Sequence, residues 1–236
     1  MSVLNGYLLV DKPKDWTSFD VVNKIRHIIQ DSGMNTTGKK RFPVGHTGTL
    51  DPLATGLLVI LLGNYTKRAP ELTKLDKTYE VIMKLGETST TGDDEGDKTY
   101  ISDEEPLLEQ LNLIMKSFEG EIEQIPPAFS AIKVNGKKAY ELARKGKEVK
   151  LEPRMVKIHQ ITDINYEYPK VTFTVQVSSG TYIRSLVQDI GDKLGTGAYM
   201  SDLRRTIIGN FDINNATSME NIGSESIYQS VKTIDR

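Results

Sequence analysis

Apolar residues fall into a few clearly periodic stretches, separated by polar segments that contain glycine. Residues 7–10 predict a short first strand, stopped by Asp11-Lys12-Pro13. Ser18 reads as the N-cap of a helix whose apolar stripe is Val21, Val22, Ile25, Ile28 and Ile29. His27 lies between stripe positions and reads as a surface histidine. Residues 31–41 are polar, with two glycines and Lys39-Lys40-Arg41, and predict a flexible loop. Residues 57–62 are all apolar and predict a buried strand. In residues 79–85, Tyr79, Val81, Met83 and Leu85 alternate with polar positions that include Glu80 and Lys84, which predicts a half-buried strand.

Residues 88–96 predict a turn-rich acidic loop. Leu107, Leu108, Leu111, Ile114, Met115 and Phe118 recur at helical spacing, with Gly120 closing a helix that packs on the core. Pro126-Pro127 excludes helix and forces an extended segment. Residues 137–145 predict a short basic helix carrying Tyr140 and Leu142, ended by Gly146. Strands follow at 156–164 and 171–177. Thr181-Tyr182-Ile183-Arg184 opens a helix with the apolar face Ile183, Leu186, Val187, Ile190 and Leu194, ended by Gly195 and Gly197. A last strand begins at 203–208, and residues 216–222 predict a short helix. Strands and helices do not alternate regularly, and no repeat is present. The expected fold class is therefore α/β of the α+β type, with a mixed, largely antiparallel central sheet flanked by helices. Residues 1–236 are expected to form one catalytic domain.

Composition narrows the chemistry. The chain has no cysteine, which excludes disulfides, thiolate nucleophiles and zinc-thiolate sites. None of its three histidines forms an i, i+4 pair, so no histidine metal site is expected. The six-residue apolar run is far short of the roughly 20 residues that span a bilayer. The first residues carry no basic leader, and a soluble, cytoplasmic protein is expected. Net charge is −2, which argues against a general polyanion binder. Charge is nevertheless zoned. Residues 87–123 hold twelve acids against two bases, and residues 133–154 hold eight bases against three acids. Solvated faces carry such runs; so does a protein that grips one defined piece of nucleic acid.

The stretch Gly45-His46-Thr47-Gly48-Thr49-Leu50-Asp51-Pro52-Leu53-Ala54-Thr55-Gly56 stands apart. Three glycines and a proline restrain a backbone that displays a histidine, an aspartate and three threonines, directly before the buried strand. A surface turn with an Asp-Pro break reads the same residues without function. Neither the dinucleotide fingerprint nor a Gly-Lys-Ser/Thr ending is present, so a nucleotide loop is not expected. Asp51, Tyr79, Tyr182 and Arg184 all lie at element junctions. Arg184, in a first helical turn, is placed to pair with Asp51 and keep it ionised and oriented, as a nucleophile or base. A purely structural ion pair fits that spacing equally well. Two tyrosines and His46 beside a carboxylate suggest a slot for a planar ring, the requirement of enzymes that work on an extruded base.

Residues 45–58 resemble the signature of the bacterial tRNA pseudouridine-55 synthases, the TruB family. The resemblance extends to residues 6–18 with Asp11-Lys12-Pro13, to Lys77-Thr78-Tyr79, to residues 126–144, to Ser179-Gly180-Thr181-Tyr182-Ile183-Arg184 and to Leu203-Arg204-Arg205, in the family's order. It implies the pseudouridine-synthase fold and isomerisation of the T-loop uridine of tRNA, without metal or organic cofactor. Asp51 then matches the essential aspartate, through a covalent adduct or a glycal route. Tyr79 matches the tyrosine that stacks on the uracil and takes the C5 proton, and Arg184 the arginine paired with the aspartate. His46, Tyr182 and Leu203 match positions lining the pocket or touching flipped nucleotides. Lys133, Lys137 and Lys138 are the expected RNA contacts of the basic zone. The partner is tRNA, with no membrane, no obligate protein partner and a monomeric state expected.

Two features depart from the family pattern. The usual C-terminal RNA-binding domain, of the PUA-like kind, is expected to be absent, and residues 31–41 form a longer loop. The alternatives are a guide-RNA-dependent synthase subunit and a non-catalytic RNA-binding module or tRNA folding chaperone.

Overall fold

The computed structural model describes residues 4–130, 132–134, 136–143, 145–146 and 149–233, with the side chains of Lys133, Val134, Lys138 and Tyr140 outside that description. The chain runs β1 (Gly6–Lys12), α1 (Ser18–Asp31), β2 (Val44–His46), β3 (Thr55–Leu62), α2 (Ala69–Leu72) and β4 (Lys77–Leu85). It continues with β5 (Glu87–Ser89), β6 (Lys98–Tyr100), α3 (Leu108–Lys116), β7 (Gly120–Gln124), β8 (Lys133–Val134), β9 (Lys137–Lys138) and α4 (Ala139–Ala143). It closes with β10 (Arg154–Glu167), β11 (Lys170–Val177), α5 (Ile183–Leu194), β12 (Ala198–Ile208), β13 (Phe211–Asp212), β14 (Thr217–Ser218) and α6 (Ser224–Ser230). Residues 1–78 with 204–236 pack as one compact unit and residues 79–203 as another.

In the first unit the strand order is β14-β1-β3-β12, with β2 on β3 and β13 on β12. β1 and β3 pair antiparallel along their length, whereas β14 on β1 and β12 on β3 are parallel. Both faces of β3 are covered, which explains its unbroken apolar sequence. Leu58, Ile60 and Leu62 join Leu8, Val10 and the α1 residues Val21, Val22, Ile25 and Ile29. Leu57, Val59 and Leu61 join Leu9, Leu72 and Ile208 on the other face.

Thr17, not Ser18, caps α1. The Thr17 hydroxyl accepts from Asp20 N at 3.1 Å and Asp20 Oδ2 accepts from Thr17 N at 2.9 Å, a reciprocal capping box. Ser18 sits one residue inside, buried, where its hydroxyl accepts from Leu50 N at 2.8 Å and donates to Leu50 O at 3.0 Å. An oxygen that must satisfy two buried backbone groups is not available to cap a helix.

In the second unit the order is β12-β4-β11-β10-β7, with β10 antiparallel to both β11 and β7. The alternation read in β4 and β11 is the observed one. Val81, Met83, Leu85, Val171, Phe173, Val175 and Val177 are all buried. α5 ends at Gly195 in the left-handed conformation.

The turn-rich acidic loop read over residues 88–96 is present, as the connection of the β5–β6 hairpin. Three expectations change. Lys137 and Lys138 are on β9, hydrogen-bonded back to β8, rather than on a helix. The Asn135-Gly136 dipeptide is a hairpin signal, and Gly136 takes φ +82° as such a turn requires. Residues 216–222 form β14 and a short 3₁₀ turn, since pairing with β1 satisfies their backbone, and the helix α6 begins only at Ser224. In α3 only Leu111 and Met115 are buried, while Leu107, Leu108 and Leu113 are exposed. Among the described residues no helix is long and apolar enough to cross a membrane.

Candidate functional site

The predicted site residues fall into two groups, one in each unit. In the first unit His46 ends β2, and the loop joining β2 to β3 carries Asp51 at its middle. Its backbone is tied down along its length. Thr47 N donates to Val59 O at 3.1 Å, and Ala54 N to Asp51 O at 3.1 Å, closing a turn on Asp51. Ser18 holds both backbone groups of Leu50, as described above. The Lys12 ammonium, fully buried, donates to Pro13 O at 2.8 Å, Trp16 O at 2.6 Å and Pro52 O at 3.2 Å. Asp15 N also reaches Pro52 O, at 2.9 Å. From β12 the buried Arg205 guanidinium donates to Leu57 O at 2.8 Å, Gly48 O at 3.1 Å and Thr49 O at 3.5 Å.

These contacts concentrate buried positive charge beside the loop. Burial pushes the Lys12 ammonium down to about 8, against the opposing pull of the Asp51 carboxylate. Burial, then Arg205, pushes Lys77 down to about 8 as well; its ammonium donates to Thr73 O at 2.7 Å and to Leu75 O. The His46 imidazole is held below its usual value by burial first and by Arg205 second. Asp51 is half-buried. The main chain that carries the Asp51 carboxylate is thus fixed by its own hydrogen bonds before any substrate arrives, and a nucleophile or base needs such a fixed support.

In the second unit Tyr79 is buried on the inward face of β4. Tyr182 occupies the N-cap position of α5. The buried Gln124 amide grips its backbone on both sides, accepting from Tyr182 N at 2.8 Å and donating to Tyr182 O at 3.1 Å. The Arg154 guanidinium lies 4.8 Å from the Tyr182 ring centroid and donates to Gly180 O at 2.7 Å. Arg184 is 5% exposed and pairs with the buried Asp93 carboxylate at 3.3 Å. Its Nη1 also donates to Thr91 O at 3.0 Å and its Nη2 to Phe129 O at 2.8 Å. Leu203, on β12, is buried. Within this unit, therefore, Tyr182 and Arg184 share a neighbourhood at the start of α5, and the counterion shown for Arg184 is Asp93. The expected partner Asp51 belongs to the other unit.

Of the basic zone, Lys137 is exposed on β9; Lys133 and Lys138 are paired backbone positions of the hairpin, and their side chains lie outside the described residues. Among the described residues no group of three His, Asp or Glu side chains is arranged to hold a metal ion.

Sequence reasoning missed several supports. Asp93 was one acid in a run of acids, with no periodic mark to separate it. Lys77 did carry a mark, since extending the Tyr79, Val81, Met83, Leu85 alternation back by two places it on the buried face. Arg205 likewise shares the parity of Leu203 on β12, and a cation at an inward strand position calls for a buried partner. Gln124 carried no signal.

Two outcomes follow from the burial. Removing the Asp93 carboxylate takes a buried counterion from the buried Arg184 guanidinium, so Asp93→Ala should lose about 3 kcal/mol of unfolding free energy in urea. For Lys77 the folded state favours the neutral amine, so between pH 8 and 10.5 the native protein binds fewer protons than the unfolded chain. Stability relative to Lys77→Met should then rise with pH, by about 2 kcal/mol between pH 7.5 and 9.5, where urea titrations of the two proteins can be compared.

The model of the TruB family pseudouridylate synthase N-terminal domain matches residues 35–183. That of the tRNA pseudouridylate synthase B C-terminal domain matches residues 184–233, a stretch counted above within the catalytic domain. The tRNA pseudouridine synthase B of Clostridium kluyveri is 42% identical over 99% of this chain and 77% of its own length. That of Clostridium tetani is 46% identical over 96% and 75%, and that of Parabacteroides distasonis 42% over 94% of each. Among solved structures, a chain of a Cbf5-Nop10-Gar1 complex superposes with TM-score 0.70 at 31% identity, covering 93% of this chain and 54% of that one. A chain of the archaeal box H/ACA sRNP Nop10-Cbf5 complex gives 0.67 at 27%, covering 98% and 60%. By the family model and by identity across nearly its whole length, the chain belongs to the TruB family of pseudouridine synthases.

Proposed function

We propose that this chain isomerises the T-loop uridine of tRNA to pseudouridine, acting on free tRNA as a cytoplasmic monomer without a guide RNA. In the reaction the C1′–N1 bond breaks, the uracil turns, C1′–C5 forms, the C5 proton leaves and N1 takes one up. Composition does not change, so the protein has to supply an anionic group, a proton acceptor at C5 and a closed slot that retains the detached base. Asp51 is assigned the anionic role, by adduct or by glycal route. Tyr79 is assigned the stacking surface and C5 acceptor. Arg184 is assigned to orient Asp51, with His46, Tyr182 and Leu203 lining the slot. Lys133, Lys137 and Lys138 are assigned to the RNA backbone.

The observation that carries this reading is identity above 40% to several tRNA pseudouridine synthases B along nearly the whole chain. The loop geometry supports it, because Asp51 stands on a backbone braced by Lys12, Ser18 and Arg205. The guide-dependent alternative draws on the Cbf5 likeness, of which the chain spans little more than half.

Tritium release from a tRNA transcript labelled at C5 of its uridines, with purified protein alone, tests the proposal. About one equivalent per tRNA, lost when the T-loop uridine is replaced, is the expected result. Release only after a guide RNA is added would favour the alternative. Asp51→Asn should abolish release while tRNA binding persists; equal loss of both would remove Asp51 from the catalytic role. Charge reversal at Lys137 and Lys138 should weaken binding and reduce the slope of log K against log salt by about 1.5, measured by filter binding. An unchanged slope would make the hairpin an ordinary solvated face.

A further inference from the structure

Arg205 is among the largest fully buried side chains of the protein, at 1% exposure. A guanidinium remains charged at every accessible pH, and burying a charge is strongly unfavourable unless it is compensated. The contacts described for Arg205 are three carbonyl oxygens, those of Leu57, Gly48 and Thr49. Its charge also bears on Lys12, Lys77 and His46, depressing the pKa of each. An apolar side chain of similar size would fill the volume without that burden. What an apolar side chain could not do is donate to both shoulders of one loop.

The geometry is specific to that task. Gly48 O and Thr49 O lie three and two residues before Asp51, and Leu57 O lies six after it. The backbone joins in, since Arg205 pairs with Gly56 in the parallel β3–β12 register. Gly56 has φ +102°, and a Cβ there would stand 2.3 Å from Arg205 O. One residue thus abuts the Asp51 loop through its main chain on one side and reaches across it with a planar fork to the other. Lys12 and Ser18 hold the centre of the loop; neither reaches Gly48, Thr49 or Leu57 among the described contacts. The cations are engaged by carbonyls, which marks them as struts rather than as a ligand site.

We propose that Arg205 is a positioning residue for catalysis: its guanidinium, forked between Gly48 O, Thr49 O and Leu57 O, sets the place of the Asp51 carboxylate without touching substrate. The assignment rests on the reading of Asp51 as the catalytic carboxylate. It separates the guanidinium's effect on turnover from its effect on tRNA affinity. Displacement of a reacting group by about 1 Å is enough to cost on the order of 100-fold in rate, whereas the RNA-binding surface is left in place.

Single-turnover tritium release at saturating tRNA, with tRNA affinity measured in parallel, decides the matter for wild type, Arg205→Lys and Arg205→Met. Val22→Ala, in the α1 core, serves as a variant of lowered stability outside the loop. In Arg205→Met the rate constant should fall about 100-fold with tRNA affinity within about twofold of wild type. Arg205→Lys keeps the charge but not the fork, and should fall about tenfold with little change in thermal midpoint. A rate loss in Arg205→Met no larger than in Val22→Ala, or affinity falling in step with rate, would overturn the proposal. Should Arg205→Met fail to fold, Arg205→Lys decides alone, and wild-type turnover in it counts against the fork. Inactive wild type, or turnover surviving in Asp51→Asn, would instead strike the reading of Asp51.

Discussion

A buried carbonyl oxygen has to find a donor, and the loop before β3 turns a row of them inward. The donors come from three separate places in the chain: the Lys12 ammonium at the end of β1, the Ser18 hydroxyl in the first turn of α1 and the Arg205 guanidinium on β12. Two of the three are cations whose burial is unfavourable on its own account. The site is therefore built on tension between desolvation and backbone satisfaction. That tension is visible in the lowered pKa of Lys12 and Lys77. The hydrophobic effect assembles the β1–β3–α1 sandwich around the loop, but it has no directional content and could not orient a carboxylate.

The second unit meets a similar need with different chemistry. Tyr182 is oriented through its own peptide groups by Gln124 and through its ring by Arg154. Arg184 is seated by a carboxylate and two carbonyls before any substrate is present. In both units the residues assigned to chemistry are held by partners that do none of it, and those partners engage main chain more often than side chain.

Periodicity made the scaffold legible. The unbroken run of β3, the alternation of β4 and β11, and the stripe and glycine stop of α5 are large signals, because burial of several side chains on one face depends on them. The errors cluster where one hydrogen bond or one turn outweighs pattern. Ser18 was drawn away from capping by Leu50. Gly136 turns Lys137 and Lys138 back onto β8, so the helix read from residue 137 begins only at Ala139, and β14 takes the start of a stretch that helical spacing claims. At the site, residues 45–56 were legible from composition alone, because restrained backbone and displayed polar groups coincide there. Asp93 and Gln124 were not, since their roles exist only once distant segments are side by side. Lys77 and Arg205 lay in reach of a stricter reading of strand parity.

The braces on the Asp51 loop differ in how far along the chain they come from. Ser18 and Lys12 precede it by a few tens of residues, while the bonds from Arg205 join positions 148 to 157 apart. During synthesis the first supports are in place long before the last, and β3 emerges with β1 and α1 already available to cover it. Closing so long a segment carries a conformational cost that contacts near the end of the chain must repay. The Arg205 brace can form only once β12 has been made and pairs beside Gly56. A chain interrupted before β12 would carry Asp51 yet lack the three hydrogen bonds from Arg205 that span its loop.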